Sequence, residues 1–254
     1  MTFVIRSQLL EKYGVLHGFS TRSGGVSEAP FESLNLGRSV GDDAAAVREN
    51  HRRWAHEMGY DVERLFETSQ VHGVEVRVIE PTDLVEKVRA ENADALVTRT
   101  NVIGVRTADC TPVLVADPES GAVAAIHAGW RGVVAGVVQA GIRTLEQVSG
   151  GTASRFIVAI GPCIRAESFE VGEDVAAEIA RVSHGVEVVI RKVPRPHVDM
   201  VRAVRAQLAA LGVPDSSIDD VGGDTFAEPT RFFSYRRDRE GSGRHLSVIA
   251  ARTR

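Results

Sequence analysis

A thiol and an imidazole stand at the ends of two apolar runs that a short turn joins. Residues 113–116 and 122–126 are continuous apolar stretches of strand length, and Asp117-Pro118-Glu119-Ser120-Gly121 between them reads as a turn. Ala108-Asp109-Cys110 precedes the first run, and His127-Ala128-Gly129-Trp130-Arg131-Gly132 follows the second. Strands joined by a tight turn run antiparallel and side by side, so Cys110 and His127 are expected to share one site. A third reactive group, His72, sits beside Gly73 at the entry to the alternating run 74–79. Two imidazole nitrogens and one thiolate make a borderline-soft ligand set suited to zinc, and three protein ligands leave the fourth tetrahedral position for water. Zinc in such a site lowers the pKa of its water to about 7. Nothing here has the spacing of a short Cys-x-x-Cys clamp. The residues alone therefore leave three readings open: a metal site; a metal-free hydrolase or amidase with Cys110 as nucleophile, His127 as base and Asp109 nearby; and plain burial of Cys110 as a small hydrophobe.

The elements that must position these groups are strands of a layered α/β chain. A strand pair is expected around residues 3–5 and 15–19, and further strands at 93–98, 102–106, 156–160, 186–193 and 246–250. Asp42 or Asp43 can cap a helix over Ala44–Met58 that Gly59 ends. Further helices are expected at 84–89, from Val133 through Leu145 to Gly150, at Glu173–Arg181, and from 197 through Leu211. Residues 20–27 form a glycine-paired loop with Arg22, which reads either as a surface turn or as backbone able to approach an anion. The Gly-flanked turn after His127 opens a helix, where free N–H groups can meet an anion. Phe232, Phe233 and Tyr235 read as alternating strand residues that pack in the core or stack a ring.

Composition sets bounds on the partners. The chain of 254 residues carries 30 Lys plus Arg against 34 Asp plus Glu, a net charge of -4, so no basic field points to nucleic acid. Small substrates are the better expectation, and no protein partner is evident. Two cysteines, a start without a signal-peptide core and no run of membrane-spanning length point to a cytoplasmic protein that does not enter membranes. No Ser/Gly-rich or charged linker divides residues 1–254, so one catalytic domain is expected.

The motifs STRSGGVS with SLNL, QVHG, ADALVT, TADCTPVLV, AAIHAGWRG, IGPCI with FEVG, HVDM and FFSYRRD resemble those of the laccase-like or polyphenol oxidase family, also described as multifunctional purine nucleoside enzymes. The likeness runs over residues 21–249, and QVHG, ADC and HAGWRG in this order are highly specific. It implies a zinc site of His72, Cys110 and His127. It also implies purine nucleoside phosphorolysis with companion adenosine deamination and methylthioadenosine cleavage, on a single-domain α/β (α+β) sandwich of mixed sheets flanked by helices. Deamination at C6 of adenine needs a proton-handling group, and Asp109 is the nearest candidate, or else a residue that orients its loop. Phosphorolysis needs phosphate held against C1′ of the ribose, for which Arg22, Asn35 and Arg131 are the expected contacts. The copper oxidase name fits poorly. A multicopper centre draws on about ten histidines, largely in His-x-His pairs, whereas eight scattered histidines and no such pair occur here. Relatives often carry Cys-Thr where this chain has Asp224-Thr225, so no role of that cysteine transfers.

Overall fold

A computed structural model describes residues 3–191 and 194–252. Two mixed sheets pack face to face. The six-stranded sheet runs, from one edge to the other, through Ile218–Asp220, Ile157–Ile160, Thr111–Ala116, Val123–Ala128, Ala95–Thr98 and Val76–Ile79. The five-stranded sheet runs through Val4–Ile5, His17–Ser20, His245–Ala250, Val102–Thr107 and Leu65–Phe66. A separate antiparallel pair joins Val189–Arg191 to Pro196–Val198. This is the expected layered α/β fold.

Alternation along the central strands sorts their side chains between two layers. Leu96, Leu114, Val123, Ala125 and Ala159 of the larger sheet face Ile103, Val105 and Ile249 of the smaller one, all essentially inaccessible to solvent. The opposite residues, Ala95, Val97, Val113, Val115, Ala124 and Ile126, meet the helices Val137–Ser149 and Met200–Ala210 through Val138, Ile142, Leu145, Val204 and Leu208. The helix Ala44–Met58 covers the outer face of the smaller sheet with Trp54 and Met58. Its ends are as the residues dictate: Asp43 accepts from the Ala45 and Ala46 amides, and Gly59 closes it at φ 76°.

The expected hairpin is present with Thr111 opposite Ala128 and Pro112 opposite His127, and both strands are buried throughout. Four expectations are corrected. The helix after His127 begins earlier, at Trp130, and is broken into Trp130–Ala135 and Val137–Ser149 by Gly136, whose φ of 102° ends one segment and starts the next. Residues 196–198 are strand, because Asp199 is the helix N-cap and a cap residue keeps extended backbone, so the helix begins at Met200. Phe232, Phe233 and Tyr235 do not form a strand: the two phenylalanines are buried in an irregular segment and Tyr235 opens the short helix Tyr235–Asp238. Of the expected strand 186–193 only Val189–Arg191 is strand, and Lys192 and Val193 lie outside the described residues. No helix among the described residues is long and apolar enough to cross a membrane.

Leu114 lies on the buried plane between the sheets, where no side chain can move in to fill a void. Leu114→Ala is expected to destabilise the protein by about 2–5 kcal/mol, read as a lower urea midpoint at unchanged slope.

Candidate metal centre and its cavity

His72, Cys110 and His127 converge. Their ligand atoms all lie within 4.8 Å of one another, with Cys110 Sγ 3.8 Å from His72 Nε2, and the two imidazoles meet edge to face at 4.9 Å. Strand register explains half of this: Cys110 stands one residue before the Thr111 to Ala128 pair, and His127 is the penultimate residue of the partner strand. His72 comes from the loop before Val76, in a left-handed conformation at φ 60°. Gly129 completes the packing. A Cβ on it would stand 2.7 Å from His72 Cδ2 and 3.2 Å from Cys110 Sγ, so a bare backbone is required there although its own φ and ψ suit any residue.

What holds the cluster is Asp94, fully buried at the head of the strand Ala95–Thr98. Oδ1 accepts from the His72 amide at 2.9 Å, and Oδ2 accepts from the Gly73 and Val71 amides at 2.7 and 3.1 Å. Oδ1 also lies 2.8 Å from His127 Nδ1, and the Asp94 carbonyl accepts from the His127 amide at 2.7 Å. A carboxylate on Nδ1 makes that nitrogen the protonated one and leaves the Nε2 lone pair for a metal or a proton. Burial opposes the charge on Asp94, but the His127 bond and the amide donors hold its pKa below the usual carboxylate value. Burial likewise pushes the Cys110 thiol up, yet the charges and hydrogen bonds of His127 and His72 bring it down to about 6. Burial lowers His127, and the Cys110 thiolate and Asp94 raise it further, to about 9. The donor set therefore fits a divalent metal: a thiolate present at neutral pH and two imidazoles held by backbone and carboxylate.

The cluster sits in a cavity of about 680 Å³. Arg38, Arg106, Arg131, Arg236, Arg239 and Arg244 line it, with Trp130, Phe169 and Tyr235 as aromatic walls and Asp109 and Glu240 as the carboxylates. Arg131 is exposed and stacks on Trp130 with its guanidinium 4.4 Å from the ring. Asp109, at φ 90°, accepts from the Thr225 hydroxyl at 2.7 Å and the Arg236 amide at 2.6 Å, which ties the cysteine loop to the segment carrying Arg236. Arg22 and Asn35 are not part of the lining. The Arg22 guanidinium donates to the Glu32 and Pro229 carbonyls at 2.8 Å and lies over Phe233. Asn35 is buried, donates to Asp42, and accepts from the Gly37 and Arg244 amides, so it supports two lining segments from behind. Gly25 packs against the Ser33 carbonyl rather than facing the cavity. Cys163 is buried, its thiol pushed up to about 12 by burial, while Asp224 caps the turn that carries Thr225. Asp94 lies within ADALVT and Arg236 within FFSYRRD, but neither has a local signal of its role.

Residues 16–252 match the family model described as multi-copper polyphenol oxidoreductase laccase. A Deinococcus radiodurans protein named purine nucleoside phosphorylase is 41% identical over 239 residues, spanning 92% of this chain and 88% of that protein. A protein named adenosine deaminase RL5, from an unknown prokaryotic organism, is 36% identical over 245 residues, with 92% and 93% covered. Among solved structures, YlmD from Geobacillus stearothermophilus superposes with a TM-score of 0.88 at 32% identity, over 94% of this chain and 93% of that one. With the fold, the sequence and nearly the full length of these relatives in agreement, the chain belongs to the laccase-like multi-copper polyphenol oxidoreductase family, whose members include proteins named for purine nucleoside phosphorolysis and adenosine deamination.

Proposed function

We propose that this chain is a zinc-dependent purine nucleoside enzyme that phosphorolyses adenosine, inosine, guanosine and methylthioadenosine and hydrolytically deaminates adenosine. The observation that carries the reading is the His72, Cys110, His127 cluster in the lining of an arginine-rich cavity large enough for a nucleoside. The names of the relatives supply the substrate class. Zinc held by these three residues would supply Lewis-acid chemistry in the cavity.

The chain's own groups take the remaining roles. Trp130 and Tyr235 are the partly exposed rings of the lining that can meet a purine, whereas Phe169, Phe232 and Phe233 are buried. Each Asp109 oxygen keeps a lone pair beyond the hydrogen bond it accepts, so this carboxylate can still take and return a proton during deamination. In phosphorolysis a phosphate oxygen bonds to C1′ as the C1′–N9 pair leaves with the purine, and the guanidinium groups, Arg131 among them, neutralise the charge involved. Asn35 contributes by holding Gly37 and Arg244 from behind that wall, and Arg22 by tying the Glu32 loop to Pro229.

One observation favours a second reading. Without metal, the Cys110 thiol and the His127 imidazole, their reactive atoms within 4.8 Å, lower and raise one another's pKa respectively, toward the thiolate–imidazolium pair of a cysteine hydrolase or amidase. Copper-dependent phenol oxidation is poorly served, since among the described residues one group of three ligands has metal-binding geometry.

Elemental analysis of tag-free protein is expected to give about one zinc per chain, lost in both Cys110→Ala and His127→Ala. Incubation with adenosine and phosphate should yield inosine, hypoxanthine and adenine, and chelator should stop it. Zinc-loaded protein that forms none of these products would sink the nucleoside reading, and chelator-resistant turnover lost in Cys110→Ala would establish the cysteine hydrolase instead. Asp94→Asn turns an NH2 group toward donors that need an acceptor, and should weaken zinc binding about 10–100-fold in a competitive chelator titration. Gly129→Ala should also weaken zinc binding by displacing His72, with little change in the urea midpoint, because its backbone angles tolerate alanine.

A further inference from the structure

Two of the cavity arginines are braced from behind by one buried acid. Glu67 is inaccessible to solvent, and its carboxylate lies 3.3 Å from Arg38 Nε and 3.6 Å from Arg106 Nε, while the two guanidinium side chains remain 25% and 16% exposed. Arg106 is fixed further. Its Nη2 donates to the Thr68 carbonyl at 2.8 Å, its amide donates to Gln70 Oε1, and its carbonyl accepts from Gln70 Nε2. Arg38 Nη2 lies 3.3 Å from His51 Nδ1, and His51 Nε2 lies 3.0 Å from the Leu36 carbonyl. Burial pushes His51 down to about 4, so at neutral pH the ring donates through Nε2 and accepts from Arg38 through Nδ1 without adding charge. Two fixed cations thus share one carboxylate, and the Nη1 group of each has no hydrogen-bond partner among the described residues. Neither lining carboxylate neutralises them: Asp109 is bonded to Thr225 and Arg236, and Glu240 accepts from the Tyr235 hydroxyl.

We propose that Arg38 and Arg106 form a dedicated subsite for a phosphate dianion, and that Glu67 is the positioning residue that holds the pair in place. The excess positive charge, the free Nη1 donors and the rigid setting match a tetrahedral oxyanion that accepts several charge-assisted hydrogen bonds. Single guanidinium groups such as Arg131, exposed on a tryptophan face, lack such a brace. The assignment rests on the nucleoside reading of the cavity and deepens it by giving the phosphate its own place. The dianion is either inorganic phosphate or the ester phosphate of a phosphorylated nucleoside.

Calorimetric titration with inorganic phosphate and with adenosine 5′-monophosphate, on wild type, Arg38→Met and Arg106→Met, tests the subsite without any turnover. Each substitution is expected to raise the Kd for inorganic phosphate about tenfold or more, the loss of a charge-assisted bond. A loss confined to the monophosphate assigns the subsite to an ester phosphate, and unchanged affinity for both ligands overturns it. Glu67→Gln should raise KM for phosphate at least about fivefold more than KM for adenosine, with Glu67→Asp partly restoring it. If Glu67→Gln does not fold, the ratio in Glu67→Asp decides. A lower melting temperature with an unchanged KM ratio would make Glu67 merely structural and refute its positioning role. A protein that turns over no nucleoside yet binds phosphate through Arg38 and Arg106 would defeat the proposed function and leave the subsite standing.

Discussion

The site depends on one buried carboxylate. Asp94 gathers three successive amides, those of Val71, His72 and Gly73, together with the His127 imidazole, and each bond to a charged acceptor is worth about 1.5–3 kcal/mol against leaving it unmade. A loop that turns through a left-handed histidine would otherwise relax, since a non-glycine residue at positive φ costs about 1–3 kcal/mol. Asp94 faces His127 because Ala95 pairs with Ile126 in the antiparallel ladder and the register continues one residue further. The same carboxylate thus fixes where His72 stands and which nitrogen of His127 is free.

Around this centre, carboxylates repeatedly organise groups that face the cavity. Glu67 stands behind Arg38 and Arg106, and Asp109 joins the cysteine loop to the segment bearing Arg236. Asn35 does the same without charge for Gly37 and Arg244. The cavity consequently combines a cluster of soft donor atoms with arginines of which several, Arg38 and Arg106 among them, are held by the protein itself.

Much of the scaffold was legible because its signals are local. Asp43 and Gly59 bracket a helix whose Val47, Trp54 and Met58 lie on one stripe, and the apolar runs around Asp117–Gly121 could hardly be other than a buried hairpin. The convergence of His72, Cys110 and His127 was readable from the residues together with the family resemblance. The break at Gly136 has no local signal because Val133 and Val137 are buried on both sides of it, so the apolar periodicity runs through it. Arg22 and Asn35 looked like anion contacts by residue type, yet their hydrogen bonds close on nearby loops and on Pro229, a contact that no local pattern encodes.

By itself the amino-acid sequence determined the strands and helices, the pairing of Cys110 with His127 and the kinds of atom available for chemistry, since propensity, caps and alternation act over a few residues. Only the tertiary structure decided which charges meet. Asp94 lies 33 residues from His127 and Glu67 lies 29 and 39 residues from its two arginines, and ion pairs at such separations follow from strand register and sheet packing. That is why the three converging residues can be named from the chain, while the carboxylates that hold them and their cationic surroundings follow only from the fold.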